Sequence, residues 1–286
     1  MTPTARFADI LLPVTSAAER NDLNRPWPSG PYLIFSNKAI EPIGECKSDL
    51  EIATDLAEKL GLKDFNPYGE DQWLRAFVEQ NPENAQHIKD YEEFKRDGIH
   101  RIKLPEPILA FKEQIEDPAN HPFDTPSGKI EIYSQRVADM DHPLCPPIPK
   151  YMGTPEDRND PLTKTHPLQL LSPHPRNRVH SEMYKVEWLR EVEPHRMWIN
   201  PVDARPRGIR DGDEVHVFND RGKLAITAWV TERIVPGVIS IFEGAWYDPD
   251  EEGIDRGGCA NVLTNDEYSG GGASVMNTVL VQVTRA

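Results

Sequence analysis

Between Ser172 and Ser181 the chain reads Ser-Pro-His-Pro-Arg-Asn-Arg-Val-His-Ser, placing two arginines and two histidines in the seven residues from His174 to His180. Arg176 and Arg178 carry forked donors that suit a phosphate or pyrophosphate, while His174, His180, Ser172 and Ser181 can bond the edges of a heterocycle. In a chain of net charge -15 this is a local reversal of sign, which points to a bound anion. Further on comes Gly257-Gly258-Cys259-Ala260-Asn261-Val262-Leu263-Thr264. There Gly257 and Gly258 let backbone amides approach a ligand, and Asn261 can read an amide-like edge. The two patches read as halves of one cradle. A solvated loop whose arginines pair with some of the 47 carboxylates stays open beside that reading.

A metal bound by His166, His174 and His180 competes with the anion site. Their spacings match no compact helical ligand pair, and no carboxylate accompanies them at ligand spacing, so no metal ligand is assigned. The chain has no GxGxxG and no phosphate-loop lysine motif, which disfavours an ordinary dinucleotide or ATP site.

The elements that hold these residues follow from pattern. Ser48-Asp49-Leu50-Glu51 is a capping box, and Leu50, Ala53, Leu56, Ala57 and Leu60 share one helical face before Gly61. Asp71 to Gln80 repeats the pattern, and a polar helical stretch through Tyr91 and Phe94 ends near Gly98. Ala8 to Pro13 reads as a buried strand, and Lys129 to Tyr133 alternates as a strand should. From Asp141 to Pro161 six prolines deny the chain helical and ladder hydrogen bonds, which reads as a surface linker and a domain boundary. Beyond it the period changes to two, at Leu168 to Leu171, Val215 and Val217, Leu224 to Val230, Val238 to Ile241 and Val279 to Val283, with a helix around Glu182 to Arg190. Short strands separated by Asp-Gly and Pro-Gly turns predict a closed barrel or sandwich. The expected class is mixed α/β: a helix-rich α/β portion over 1–140, a proline-rich linker over 141–163 and a β-barrel over 164–286.

Composition excludes several functions. With 32 basic against 47 acidic residues and no basic stripe, a nucleic-acid partner is not expected. No apolar run approaches the ~20 residues of a membrane span. Cys46, Cys145 and Cys259 are widely separated and form no CxxC, so this chain alone should hold no iron–sulfur cluster or structural zinc.

Several ordered motifs carry a family resemblance. His166-Pro167-Leu168-Gln169-Leu170-Leu171-Ser172-Pro173-His174, Met197-Trp198-Ile199-Asn200-Pro201-Val202-Asp203-Ala204, Gly208 to Asp213 and Phe218 to Gly222 resemble the C-terminal domain of molybdopterin oxidoreductases. Glu243-Gly244-Ala245-Trp246-Tyr247-Asp248-Pro249 with Gly257 to Thr264 narrows the likeness to catalytic subunits of the dimethyl sulfoxide reductase type, and Thr4 to Pro13, Ile40 to Glu45 and Phe123 to Glu131 extend it upstream. The resemblance implies a double-psi β-barrel closing over a bis(molybdopterin guanine dinucleotide) molybdenum cofactor. It places Ser172, His174, Arg178, His180 and Ser181 against the pterin and pyrophosphate, and Asn261 with its glycine turn against the pterin system. It also implies reduction of S-oxides by oxygen atom transfer in anaerobic respiration, with Trp246 and Tyr247 either lining the approach to the metal, where they can donate to an oxide oxygen, or packing in the barrel. Complete subunits of this type carry a [4Fe-4S] centre in an N-terminal part and work with iron–sulfur electron-transfer and membrane-anchor subunits, often on the outer face of the cytoplasmic membrane. The N-terminal cysteine cluster and a molybdenum ligand are not in this sequence, so the chain is expected to hold the cofactor jointly with that part and not to turn over substrate alone. The alternatives are a barrel that has lost the cofactor and serves as an interaction module, and a portion of a selenate or N-oxide reductase.

Overall fold

The computed structural model describes residues 1–26 and 30–286. It divides into two compact units, Ala8–Pro118, and Met1–Phe7 together with Ala119–Ala286. The division falls ahead of the proline-rich stretch, which therefore packs with the barrel.

In the smaller unit β1 (Asp22–Asn24), β2 (Tyr32–Ser36) and β3 (Ile99–Arg101) form an antiparallel sheet in that order. The helix Asp49–Lys59 starts as its sequence predicts: the Ser48 side chain accepts from the Glu51 amide while Glu51 accepts from the Ser48 amide at 2.7 Å. The helices Glu70–Glu79 and Tyr91–Asp97 also form, the latter ending at Gly98 with a left-handed φ of 74°. Leu74, Val78, Ile88, Tyr91 and Phe94 close over Leu33 and Phe35 of β2 as one core.

Two strand expectations fail. Residues 8–13 make no strand, and Ile10, Leu11 and Leu12 are half to mostly exposed; only the isolated bridge between Val14 and Lys47 follows them. Residues 129–133 make none either, and Ile130 and Ile132 are three-quarters exposed. Apolar alternation needs a neighbouring ladder to become a strand. Here the backbone turns instead, with the Thr125 hydroxyl donating to the Lys129 carbonyl and the Ser127 amide to the Glu131 carboxylate.

The larger unit is built on a closed six-stranded barrel: β4 (Leu168–Leu171), β5 (Met197–Ile199), β6 (Glu214–Phe218), β7 (Lys223–Val230), β8 (Val238–Ser240) and β9 (Val279–Arg285), in the order β4-β8-β5-β7-β6-β9. The pairs β4–β8 and β5–β7 are parallel, and the others antiparallel. Period-two residues fill the inside, with Leu168, Leu170, Val215, Val217, Leu224, Ile226, Val279, Val281 and Val283 in one core. Strand β5 carries too few residues to announce itself by periodicity, yet Met197 and Ile199 are wholly buried. The expected helix at 182–190 instead spans Glu187–Val192, because His180 and Met183 take left-handed φ values of 50° and 64° and the chain turns until Val186.

The proline-rich stretch is anchored to the barrel through Glu156. Glu156, 7% exposed, receives two hydrogen bonds from Arg221 of the β6–β7 turn, at 2.6 and 2.9 Å, and one from the Leu280 amide of β9 at 2.9 Å.

Candidate functional site

The basic loop leaves the end of β4, and neighbouring turns fasten it. Ser172 is buried, its amide donating to the Asn277 side chain at 2.9 Å, with its hydroxyl 3.4 Å from the same oxygen. The Glu243 amide, just beyond β8, donates to the Pro173 carbonyl at 3.2 Å. Gly244 follows with φ of 79°, and a Cβ there would lie 1.8 Å from the His180 carbonyl oxygen, so only glycine lets the two turns meet. The Trp246 indole donates to the Ser181 carbonyl at 2.9 Å. That bond commits the indole N–H that sequence reading left available to an oxide.

The loop and the glycine turn are joined through two residues that sequence reading passed over. The buried Tyr184 hydroxyl donates to the Gly257 carbonyl at 2.7 Å. His195 reaches the Gly258 carbonyl through Nε2 at 2.9 Å and lies 3.4 Å from the Arg178 guanidinium through Nδ1. A carbonyl can only accept, so Nε2 bears the proton and Nδ1 is left to accept from Arg178. Burial holds the His195 pKa down to about 4; the Gly258 bond opposes this, and the charges of Arg178 and Arg190 add to it. The ring is neutral at physiological pH.

Asp255, fully buried, shapes the glycine turn by accepting from the amides of Asp248, Gly257 and Cys259 at 2.7, 3.1 and 2.6 Å. The room a Cβ would need at Gly257 is taken by the Trp246 carbonyl, and at Gly258 by the His195 ring. Both glycines therefore permit close packing of the turn itself, and the Gly257 amide already has its acceptor. Asn261 stands exposed on the short 3-10 turn Ala260–Val262, with no side-chain contact to the basic loop among the described residues. The Cys259 thiol is pushed up by burial, and all three cysteines are free.

Arg178 is the chemical centre of the loop. Besides His195, it donates to the Glu243 carbonyl at 3.2 Å and lies 5.2 Å from the centre of the Tyr184 ring. Burial pulls its pKa below the usual arginine value, and no carboxylate forms an ion pair with it among the described residues. Such a guanidinium is only partly compensated and suits an anion. His174, Arg176, His180 and Ser181 are exposed, so their donors remain accessible. His174 and His180 converge on Glu243, whose Oε1 lies 2.7 and 3.0 Å from their Nδ1 atoms; His166 instead pairs with its neighbour Thr165. Neither imidazole meets Oε1 with hydrogen-bond geometry, leaving a buried carboxylate oxygen without a donor. Pterin and guanine rings present N–H donors of the kind that oxygen accepts. The donor set fits a phosphorylated heterocycle.

Comparison with known proteins gives that fit a family. Residues 168–277 match the Molydopterin dinucleotide binding domain, and residues 1–59 match Molybdopterin oxidoreductase. The chain is 42% identical to Dimethyl sulfoxide reductase DmsA of Escherichia coli over 281 residues, covering 94% of this chain and 34% of that protein. It is 40% identical to Dimethyl sulfoxide reductase DmsA of Haemophilus influenzae, with 94% and 35% covered. It is 36% identical to Trimethylamine-N-oxide reductase of Haemophilus influenzae, with 99% and 37% covered. The chain thus spans about a third of the length of these relatives. Acetylene Hydratase from Pelobacter acetylenicus has the same fold over all of this chain and 39% of its own, with TM-score 0.74 and 23% identity. The cofactor matched by this domain is the molybdopterin guanine dinucleotide of molybdenum. From two family matches and relatives of such identity along nearly its whole length, the chain carries a Molydopterin dinucleotide binding domain and a portion of Molybdopterin oxidoreductase.

Proposed function

We propose that this chain is the dinucleotide-holding, C-terminal portion of a molybdenum oxidoreductase that binds bis(molybdopterin guanine dinucleotide) and removes an oxygen atom from S-oxides such as dimethyl sulfoxide in anaerobic respiration. The observation that carries the reading is Arg178: a guanidinium without a carboxylate partner among the described residues, fixed by His195 and the Glu243 carbonyl beside exposed imidazoles. When bound, the cofactor supplies the two-electron chemistry. The residues of this chain bind and orient it. Arg178 meets the pyrophosphate, His174, His180 and Ser181 bond the pterin edges, and Arg176 adds positive charge at the rim. Ser172, with its hydroxyl beside Asn277, sets where the loop begins, and Gly257, Gly258 and Asn261 form the facing turn.

The six-stranded barrel, with two parallel pairs among antiparallel ones, is read as the double-psi type, and residues 164–286 as the dinucleotide-binding domain. The α/β portion at 1–140 and the proline-rich 141–163 precede it. The rest of the cradle, with a [4Fe-4S] centre, belongs to an N-terminal part of the catalytic subunit. Iron–sulfur electron-transfer and membrane-anchor subunits complete the enzyme. N-oxides are the second substrate class, favoured by the trimethylamine-N-oxide reductase among the relatives. Arg178→Ala and His180→Ala test the reading in the assembled enzyme. Both should lower the guanine nucleotide released per protein by acid; unchanged content would overturn it.

A further inference from the structure

His174, His180 and Glu243 form a second kind of site. One ligand atom from each lies within 4.8 Å of the others, and the Oε1 on which the two Nδ1 atoms converge has no hydrogen-bond donor among the described residues. The arrangement is held by backbone. The Glu243 amide is tied to Pro173, next to His174, and the Gly244 turn seats directly on the His180 carbonyl. The two imidazoles meet edge to face at 4.9 Å. Three ligand side chains therefore reach one point from two turns that cannot easily separate.

Two imidazoles and one carboxylate are the donor set of zinc and its neighbours, whereas calcium and magnesium prefer oxygen alone. Bonds of about 2.0–2.1 Å to a tetrahedral ion put ligand atoms roughly 3.3 Å apart, so the contacts need to open by only a few tenths of an ångström. The imidazole side chains are 65% and 70% exposed while Glu243 is 16% exposed, so an ion enters from solvent and ends against a buried anion. Three protein ligands leave a coordination position for water. Arg178, donating to the Glu243 carbonyl, is the neighbouring positive charge that the three ligands must outweigh.

We propose that, in the chain without a dinucleotide, His174, His180 and Glu243 bind one divalent cation of the zinc class. Because the same imidazoles are assigned to the dinucleotide, cation and cofactor are alternative occupants. The site itself does not depend on that assignment. The test is calorimetric titration of the chelator-treated, 286-residue chain with Zn2+. It should show one site per chain, weakened roughly tenfold or more in His174→Ala, His180→Ala and Glu243→Gln, and unchanged in His87→Ala, which alters the other unit. Co2+ bound to the unmodified chain should give the visible absorption of a four-coordinate nitrogen and oxygen site, lost in the same three variants. This second readout keeps the test decisive where a variant folds poorly. Absence of a stoichiometric site, equal affinity in folded Glu243→Gln, or loss of the site in His87→Ala would each overturn the proposal.

Discussion

His195 has the clearest consequence at the scale of single residues. Its two ring nitrogens have different tasks, one donating to Gly258 and the other accepting from Arg178, and the second needs the neutral ring. An unfolded histidine takes up a proton near pH ~6.5. Folded His195 does so only near 4. The unfolded chain therefore binds the extra proton between those values, and stability is complete above the upper one and falls as pH drops toward the lower. The loss attributable to this residue reaches on the order of 3 kcal/mol at the acid end. His195→Gln keeps a donor for Gly258 without the titrating ring. Urea denaturation of this variant should show a flatter stability profile between pH 6.5 and 4; a profile as steep as that of the unsubstituted chain would contradict the assignment. Arg178, His174 and His180 stand out in the sequence because charge and donor chemistry are written in residue type. His195, Tyr184, Asp255 and Glu243 do not, because nothing in their types shows which carbonyls and amides the fold brings within reach.

At the scale of elements, the capping box, the helix of 70–79 and most barrel strands could be read from local pattern, since their buried faces follow the period of their own backbone. Residues 8–13 and 129–133 could not, because apolar alternation does not supply a ladder partner. The proline-rich stretch forms no strand and ends in the 3-10 turn Pro161–Lys164, and the Glu156 carboxylate ties it to the barrel. Burial raises the Glu156 pKa, but Arg221, the Leu280 amide and Asn265 outweigh it, and the net shift is downward. Its stabilisation is thus fully present above the ordinary glutamate value of about 4.3 and is lost as pH falls through the lower folded value. Glu156→Gln leaves Arg221 without its partner and should cost about 2 kcal/mol at neutral pH, less than for a fully enclosed pair because Arg221 is partly exposed. Urea midpoints of the two proteins should converge on acidification; an equal gap at neutral and acid pH would count against this strut.

For the whole molecule, the closed barrel gives the site its rigidity. Strands β4, β8 and β5 are hydrogen-bonded neighbours, so the loop after β4, the turn after β8 and His195 before β5 emerge from adjoining strands. The barrel could be anticipated from period-two segments and Gly-containing turns. Its strand order, with parallel β4–β8 and β5–β7 pairs, depends on contacts between distant residues and was not legible locally. No described helix is long and apolar enough to cross a membrane. The proposed role of this face of the barrel is to hold a molybdopterin dinucleotide through Arg178. A crystal structure of the assembled, cofactor-loaded enzyme tests it most directly. A dinucleotide pyrophosphate should lie within about 3 Å of the Arg178 guanidinium, with pterin edges at His174 and His180. A dinucleotide seated elsewhere, with the loop from Ser172 to Ser181 facing only solvent, would contradict it.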